Sequence, residues 1–173
     1  MDLKDYIRNV PGFPKPGIQF KDISTLVQDK EAFDEAIRQL VAKYKDKDIN
    51  KVVAVESRGF IFGAPVALAL GVGMVMVRKK GKLPAETINV EYELEYGTDI
   101  LEVHKDAVLP GEKVLIIDDL LATGGTTKAT ADLMEKISAE IIGICFLIEL
   151  KGLNGREKLK QYDVESLIQY DEI

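Results

Sequence analysis

VLIIDDLLATGGTTKA, residues 114–129, is the stretch from which the fold can be read. Val114 to Ile117 form an unbroken apolar run, which predicts a buried strand, and the run ends in two adjacent carboxylates, Asp118 and Asp119. A loop with Gly124 and Gly125 follows, and then Ala129, Leu133 and Ile137 recur at helical spacing. A second apolar run over 141–148 completes a strand, loop, helix and strand. Toward the N-terminus the same order recurs in VVAV at 52–55, GFIFGAPVALAL from Gly59, and MVMV at 74–77. Strands that are apolar on both faces belong in a parallel sheet covered by helices on both sides. Further upstream, Phe33, Ala36, Ile37, Leu40, Val41 and Tyr44 predict a helix over 31–45. The expected class is α/β, a doubly wound parallel sheet with its ligand in the loops beyond the carboxyl ends of the strands.

Between the two units the pattern changes. Ile88, Val90, Tyr92, Leu94 and Tyr96 alternate with Asn89, Glu91, Glu93 and Glu95, a period of two with one wet face, and Gly97 offers a turn into 99–103. Residues from about 80 to 106 therefore read as an antiparallel flap over the open, ligand-binding face of the sheet. PGFPKPGIQF, residues 11–20, carries Pro11, Pro14 and Pro16 and ends in apolar Ile18 and Phe20, so an ordered, non-helical segment is expected within an N-terminal arm over about 1–30. The whole chain, 1–173, reads as one domain without repeats.

Composition narrows the function. At 173 residues with 46% hydrophobic side chains, a single core can bury roughly 70% of the unfolded surface. Twenty-nine acidic against 23 basic residues give a net charge of −6, which argues against general affinity for nucleic acid or anionic membrane. The single cysteine, Cys145, excludes an internal disulfide framework, is too little for a cysteine-built zinc site, and suits a reducing cytoplasmic setting. His104 has no His or Cys partner at ligand spacing, so it reads as structural and no metal site built by the protein is expected. Residues 59–77 are uncharged over about the length of a membrane span, but Gly63, Pro65 and the Gly71–Gly73 break divide them into a helix and a strand. The N-terminal MDLKDYIRNV has charges every few residues and no apolar core, unlike a secretory signal.

The chemistry concentrates after Ile117. Glycines let backbone N–H groups converge on one point, a helix N-terminus adds partial positive charge, and Thr123, Thr126 and Thr127 offer hydroxyls: a cradle for a phosphate monoester. The ATP-type loop, GxxxxGK[ST], is absent. Two carboxylates would repel a bare phosphate, so they face sugar hydroxyls or a magnesium-bound group, and phosphate with a diol describes a ribose 5-phosphate. An ordinary strand-to-helix turn with a capping threonine is the plain alternative, at the cost of paired acids at a buried strand end. In VESRGF, Glu56 to Gly59 follow a strand and open a helix, where backbone amides and Arg58 can receive a second anion or Arg58 can simply form a surface ion pair. Arg78, Lys79, Lys80 and Lys82 surround Gly81 as either a mobile diphosphate clamp or a solvated basic turn. From pattern alone Glu95 is one of three solvated acids, and Phe20 an arm aromatic.

The segment DDLLATGGT resembles the phosphoribosyl-diphosphate motif of the type I phosphoribosyltransferases. PGFPKPGIQFKDIS, ESRGF, RKKGKLP, LEYG and GREKL extend the resemblance over nearly the full length and narrow it to the branch that uses adenine. The resemblance implies the following. The fold is that of a type I phosphoribosyltransferase. The activity is purine salvage: the 5-phosphoribosyl group passes from phosphoribosyl diphosphate to adenine, giving AMP and diphosphate. Asp118, Asp119, Ala122, Thr123, Gly124, Gly125 and Thr126 hold the ribose 5-phosphate, while Ser57, Arg58, Lys79 and Lys82 hold the diphosphate. Gln19 reads the purine edge through its backbone, Phe20 stacks on adenine, and Leu150 covers the other side. Glu95 is the general acid/base near the purine N7, with Tyr96 beside it in the flap. Mg²⁺ arrives mainly on phosphoribosyl diphosphate, and the assembly is a homodimer. Lys21 stands where family members often carry arginine. A transferase for another base would keep the phosphate loop but change the arm and flap. A regulator of the same fold would be expected to add a binding domain or a basic face.

Overall fold

The structure is a computed structural model that describes residues 1–94 and 96–171. A short arm comes first: a 3-10 turn (Leu3–Tyr6), then β1 (Arg8–Pro11) and β2 (Gln19–Asp22), which pair antiparallel as a two-stranded sheet of their own. Helices α1 (Ser24–Gln28) and α2 (Lys30–Tyr44) follow. Asp29 caps α2 by accepting hydrogen bonds from the Glu31 and Ala32 N–H groups, which opens that helix one residue before the expected boundary.

The main sheet has seven strands. β3 (Lys51–Val55), β4 (Gly73–Lys79), β7 (Lys113–Leu121), β8 (Glu140–Leu150) and β9 (Val164–Tyr170) run parallel, and β5 (Thr87–Glu93) with β6 (Thr98–His104) extend one edge antiparallel. Their spatial order is β5-β6-β4-β3-β7-β8-β9. α3 (Arg58–Leu70) links β3 to β4, and α4 (Gly125–Lys136) links β7 to β8.

Alternate residues of each strand enter two separate cores. Val52, Ala54, Leu115, Ile117, Cys145 and Leu147 pack with α2 and α3. Val53, Val55, Ile116, Ile144 and Phe146 pack with Ala129, Leu133 and Met134 of α4. This double coverage is why the strands lack polar positions, and it makes the sheet the doubly wound one expected. Burial among these side chains pushes the Cys145 thiol pKa up, so the thiol stays protonated and inert.

The uncharged run 59–77 resolves into α3 and most of β4, and no helix among the described residues is long and apolar enough to cross a membrane. Close packing of α3 on the sheet depends on Gly63. A Cβ there would stand 2.5 Å from the Ala54 Cβ and 3.2 Å from the Ile117 Cγ2. Gly63→Ala is therefore expected to lower stability by about 1–2 kcal/mol, because overpacking outweighs the helix propensity gained. A lower urea midpoint with an unchanged slope would show it.

Two elements differ from the sequence reading. β9 has a half-polar sequence, VESLIQY, and pairs only with β8, so it carries no buried apolar run to announce it. β7 does not end at Asp118 but continues to Leu121, because β8 stays paired with it along that length. The β5–β6 hairpin hydrogen-bonds into the sheet edge through Arg78↔Glu102 and Lys79↔Leu101. Ile88, Val90 and Tyr92 pack against the second core, while Leu94 is 46% and Tyr96 82% exposed, so the apolar alternation outlasts the burial that it suggested.

Candidate active site

β3 pairs with β7 only as far as Ala54↔Ile117, whereas β7 remains paired with β8 to Leu121↔Glu149. Asp118 and Asp119 therefore emerge where β7 loses its β3 neighbour. From this point the chain winds in opposite directions, β3 through α3 to β4 and β7 through α4 to β8, which is the topological switch where open α/β sheets bind ligands. A cavity of about 330 Å³ occupies the place. Its walls are the turn Glu56–Ser57–Arg58, the acid pair, Ala122, Gly124, Thr126 and Thr127, with Lys79 from β4 and Tyr92, Leu94 and Asp99 from the hairpin region.

The charges are arranged in opposed pairs. Arg58 Nε lies 2.9 Å from Asp119 Oδ2, and that carboxylate is only 6% exposed. Asp118 Oδ1 accepts the Asp119 N–H at 2.8 Å. Burial pushes the Asp118 pKa well above the usual carboxylate range, and the neighbouring Asp119 charge pushes the same way. Burial also raises Asp119, with Arg58 opposing the shift. The first turn of α3 passes directly beside this pair, since a Cβ on Gly59 would stand 2.8 Å from Asp118 Oδ1. At the other wall Lys79 Nζ lies 3.0 Å from Asp99 Oδ2. Lys79's hydrogen bond holds Asp99 below its ordinary range, and the same bond raises Lys79.

Of the basic run, Lys79 alone lines this cavity. Arg78 is drawn to Glu56 at 3.2 Å, and Lys80 and Lys82 are exposed. Thr123 is exposed, and Gly125 opens α4. A Cβ on Gly125 would meet Lys158 Nζ at 3.9 Å, so an ammonium group stands close to the glycine loop.

The arm approaches from the Arg58 side. The Arg58 guanidinium lies 5.6 Å from the Phe20 ring centroid, and Phe13 meets Phe20 edge-on at 5.1 Å. Val10, Phe13, Phe20 and Asp22 line a second cavity of about 280 Å³. Hydrogen bonds from Ser24, with the Arg8 guanidinium, hold the Asp22 carboxyl down to about 2 and fasten the arm. The Gln19 side-chain carbonyl accepts from Asn9 Nδ2 at 2.7 Å, and its backbone lies in the β1–β2 ladder opposite Pro11. Leu150 ends β8 against the first core and lines neither cavity, as is also true of Tyr96. Glu95 lies outside the described residues. His104 Nε2 accepts the Ala85 N–H at 3.3 Å.

Asp99 and Tyr92 were not singled out as site residues in the sequence, because nothing in an alternating hairpin says which polar tip will turn inward, and Glu56 entered only as the first residue of the turn that opens α3. Gly155 and Arg156, which back the glycine loop, were legible only as part of a family motif.

The family model for the phosphoribosyl transferase domain matches residues 23–172, and the chain belongs to that family. Over 171 residues, 99% of both chains, it is 59% identical to the adenine phosphoribosyltransferase of Clostridium tetani. The crystal structure of adenine phosphoribosyltransferase from Thermoanaerobacter pseudethanolicus superposes with a TM-score of 0.93 at 55% identity, covering 97% of this chain and 98% of that one. The APRTase of Giardia lamblia, solved with 9-deazaadenine, gives 0.92 at 40% identity over 99% of each. Within the family, this chain therefore groups with the adenine phosphoribosyltransferases.

Proposed function

We propose that the chain transfers the 5-phosphoribosyl group of phosphoribosyl diphosphate to adenine, releasing AMP and diphosphate in purine salvage. The observation that carries this reading is the juxtaposition, at one switch point, of a buried acid pair with a glycine-opened helix on one side and Arg58 on the other. The loop of Ala122, Thr123, Gly124, Gly125 and Thr126 anchors the 5-phosphate through backbone N–H groups and hydroxyls. Asp118 and Asp119 accept hydrogen bonds from the ribose hydroxyls, and the turn at Ser57 and Arg58, with Lys79, receives the diphosphate.

As diphosphate departs, C1 takes on oxocarbenium character, and the protein's work is positioning and charge compensation. Arg58 and Lys79 are each held by a carboxylate, Asp119 and Asp99, so diphosphate recruits cations that are already ordered rather than freely mobile. Lys82, exposed beyond Gly81, would have to move inward to join them. Phe20 stacks on adenine beside Arg58, the Gln19 backbone reads the purine edge, and Glu95 exchanges the proton at N7, whereas Leu150 and Tyr96, which line neither cavity, would have to move toward the base to contact it. The hairpin excludes water from the reacting carbon.

Among the described residues no three His, Cys, Asp or Glu side chains are grouped to hold a metal. The hard carboxylate oxygens of Asp118 and Asp119 do suit Mg²⁺ held chiefly by substrate oxygens. When bound, Mg²⁺ neutralises charge on the leaving diphosphate.

The selectivity test offers phosphoribosyl diphosphate and Mg²⁺ with adenine, hypoxanthine, guanine, xanthine and orotate in turn. Nucleotide from adenine alone is expected. Product from another base would overturn the roles given to the arm and flap, and binding without product would favour a regulator.

We also propose a homodimer acting in the cytoplasm. α3 presents Ile61 and Leu68 on one face, 36% and 81% exposed, with exposed Ala64 between them. Leu68→Arg should reduce the mass in light scattering from two chains to one. A wild-type monomer would refute the dimer.

A further inference from the structure

We propose that Arg156, which does not line the cavity, is a positioning residue that fixes the 5-phosphate loop. The inference rests on the reading of that loop given above.

The loop has little stiffness of its own. Gly124 adopts φ +84 and precedes Gly125, so the two residues that must aim N–H groups at a phosphate are those with most freedom to lose. What holds them is another backbone. A Cβ on Gly124 would stand 2.6 Å from the Gly155 carbonyl oxygen, and a Cβ on Gly155 only 2.4 Å from the Ala122 oxygen and 2.8 Å from Leu121 Cδ1. Gly155 thus abuts the loop, with no side chain to yield between them.

Gly155 is held in turn by its neighbour. Arg156 Nε and Nη2 donate to the two oxygens of Glu149, each at 2.7 Å, and Nη1 donates to the Val164 carbonyl at 2.7 Å. Ser166 Oγ donates to Glu149 Oε2 at 2.7 Å. Glu149 is 4% exposed and is the ladder partner of Leu121, the residue that enters the loop. The connections close on themselves: Leu121 pairs with Glu149, Glu149 with Arg156, and Gly155 returns to Ala122 and Gly124.

A two-pronged guanidinium–carboxylate pair restricts both distance and plane, which a single ammonium cannot do. Glu149 is buried while the Arg156 side chain is 43% exposed, and a pair at such a boundary is weak evidence for stability but suits the fixing of geometry. Sub-ångström slack in a ligand cradle lowers affinity for the group it holds without touching groups bound elsewhere.

The test titrates ribose 5-phosphate into wild type, Arg156→Gln and Arg156→Lys by calorimetry, with the KM for adenine measured alongside. Arg156→Gln should weaken ribose 5-phosphate by about tenfold, Arg156→Lys by less, and the KM for adenine should stay within about twofold. If Arg156→Gln does not fold, Arg156→Lys decides with Ser166→Ala, each expected to weaken ribose 5-phosphate measurably. Unchanged affinity in the folded variants, or parallel loss for ribose 5-phosphate and adenine, would overturn the positioning role. Failure of wild type itself to bind ribose 5-phosphate would instead overturn the reading of the loop.

Discussion

Asp118→Asn should lower kcat/KM for phosphoribosyl diphosphate by about 10²- to 10³-fold while making the folded protein more stable at neutral pH. The loss follows from exchanging a carboxyl oxygen that faces the ribose hydroxyls for an amide NH₂, which cannot accept from them, and each buried hydroxyl left without its acceptor costs about 1–3 kcal/mol. The gain follows from burial and the adjacent Asp119 charge, which raise the Asp118 pKa. Between the usual carboxylate pKa and this raised folded value, the native state holds a proton that the unfolded chain has released. Stability therefore falls as pH rises through that window, and the penalty is fully present above it. Asparagine keeps the acceptor for the Asp119 N–H and removes the charge. Urea unfolding at acid and neutral pH should show the variant gaining most at neutral pH. A variant that is less stable there would contradict the argument.

Glu95→Gln should reduce kcat by about 10²- to 10³-fold and leave the KM for phosphoribosyl diphosphate unchanged. When N9 of the base forms a bond to C1, the purine must shed a proton. A carboxylate at N7 accepts it, whereas a carboxamide there can hydrogen-bond but cannot take it. The acid limb of the wild-type kcat profile should disappear in the variant. Glu95 follows Leu94, which lines the cavity, and its role comes from the LEYG resemblance. An active Glu95→Gln enzyme would remove that role and leave the sugar-phosphate site untouched.

What the residues disclosed depended on how local the cause was. The five parallel strands' centre was legible because Val52–Val55 and Val114–Ile117 are apolar on both faces, and a strand covered on both sides has few other compositions. The acid pair and glycine loop were legible because their chemistry lies within a few consecutive residues. β9 was not, since an edge strand tolerates polar positions. Nor were the pairings Arg58 with Asp119 and Lys79 with Asp99, which join distant parts of the chain through strand order. RKKGK looked like a cluster of four cations around Gly81, but strand pairing separates them: Arg78 is held by Glu56, Lys79 faces the cavity, and Lys80 and Lys82 are exposed.

The most direct test of the central claim follows phosphorus by NMR while purified protein is mixed with Mg²⁺ and phosphoribosyl diphosphate, first without adenine and then with it. The expected record is no change before adenine and equal amounts of AMP and diphosphate after it. Release of diphosphate with ribose 5-phosphate in place of AMP, or no reaction after adenine is added, would contradict the account.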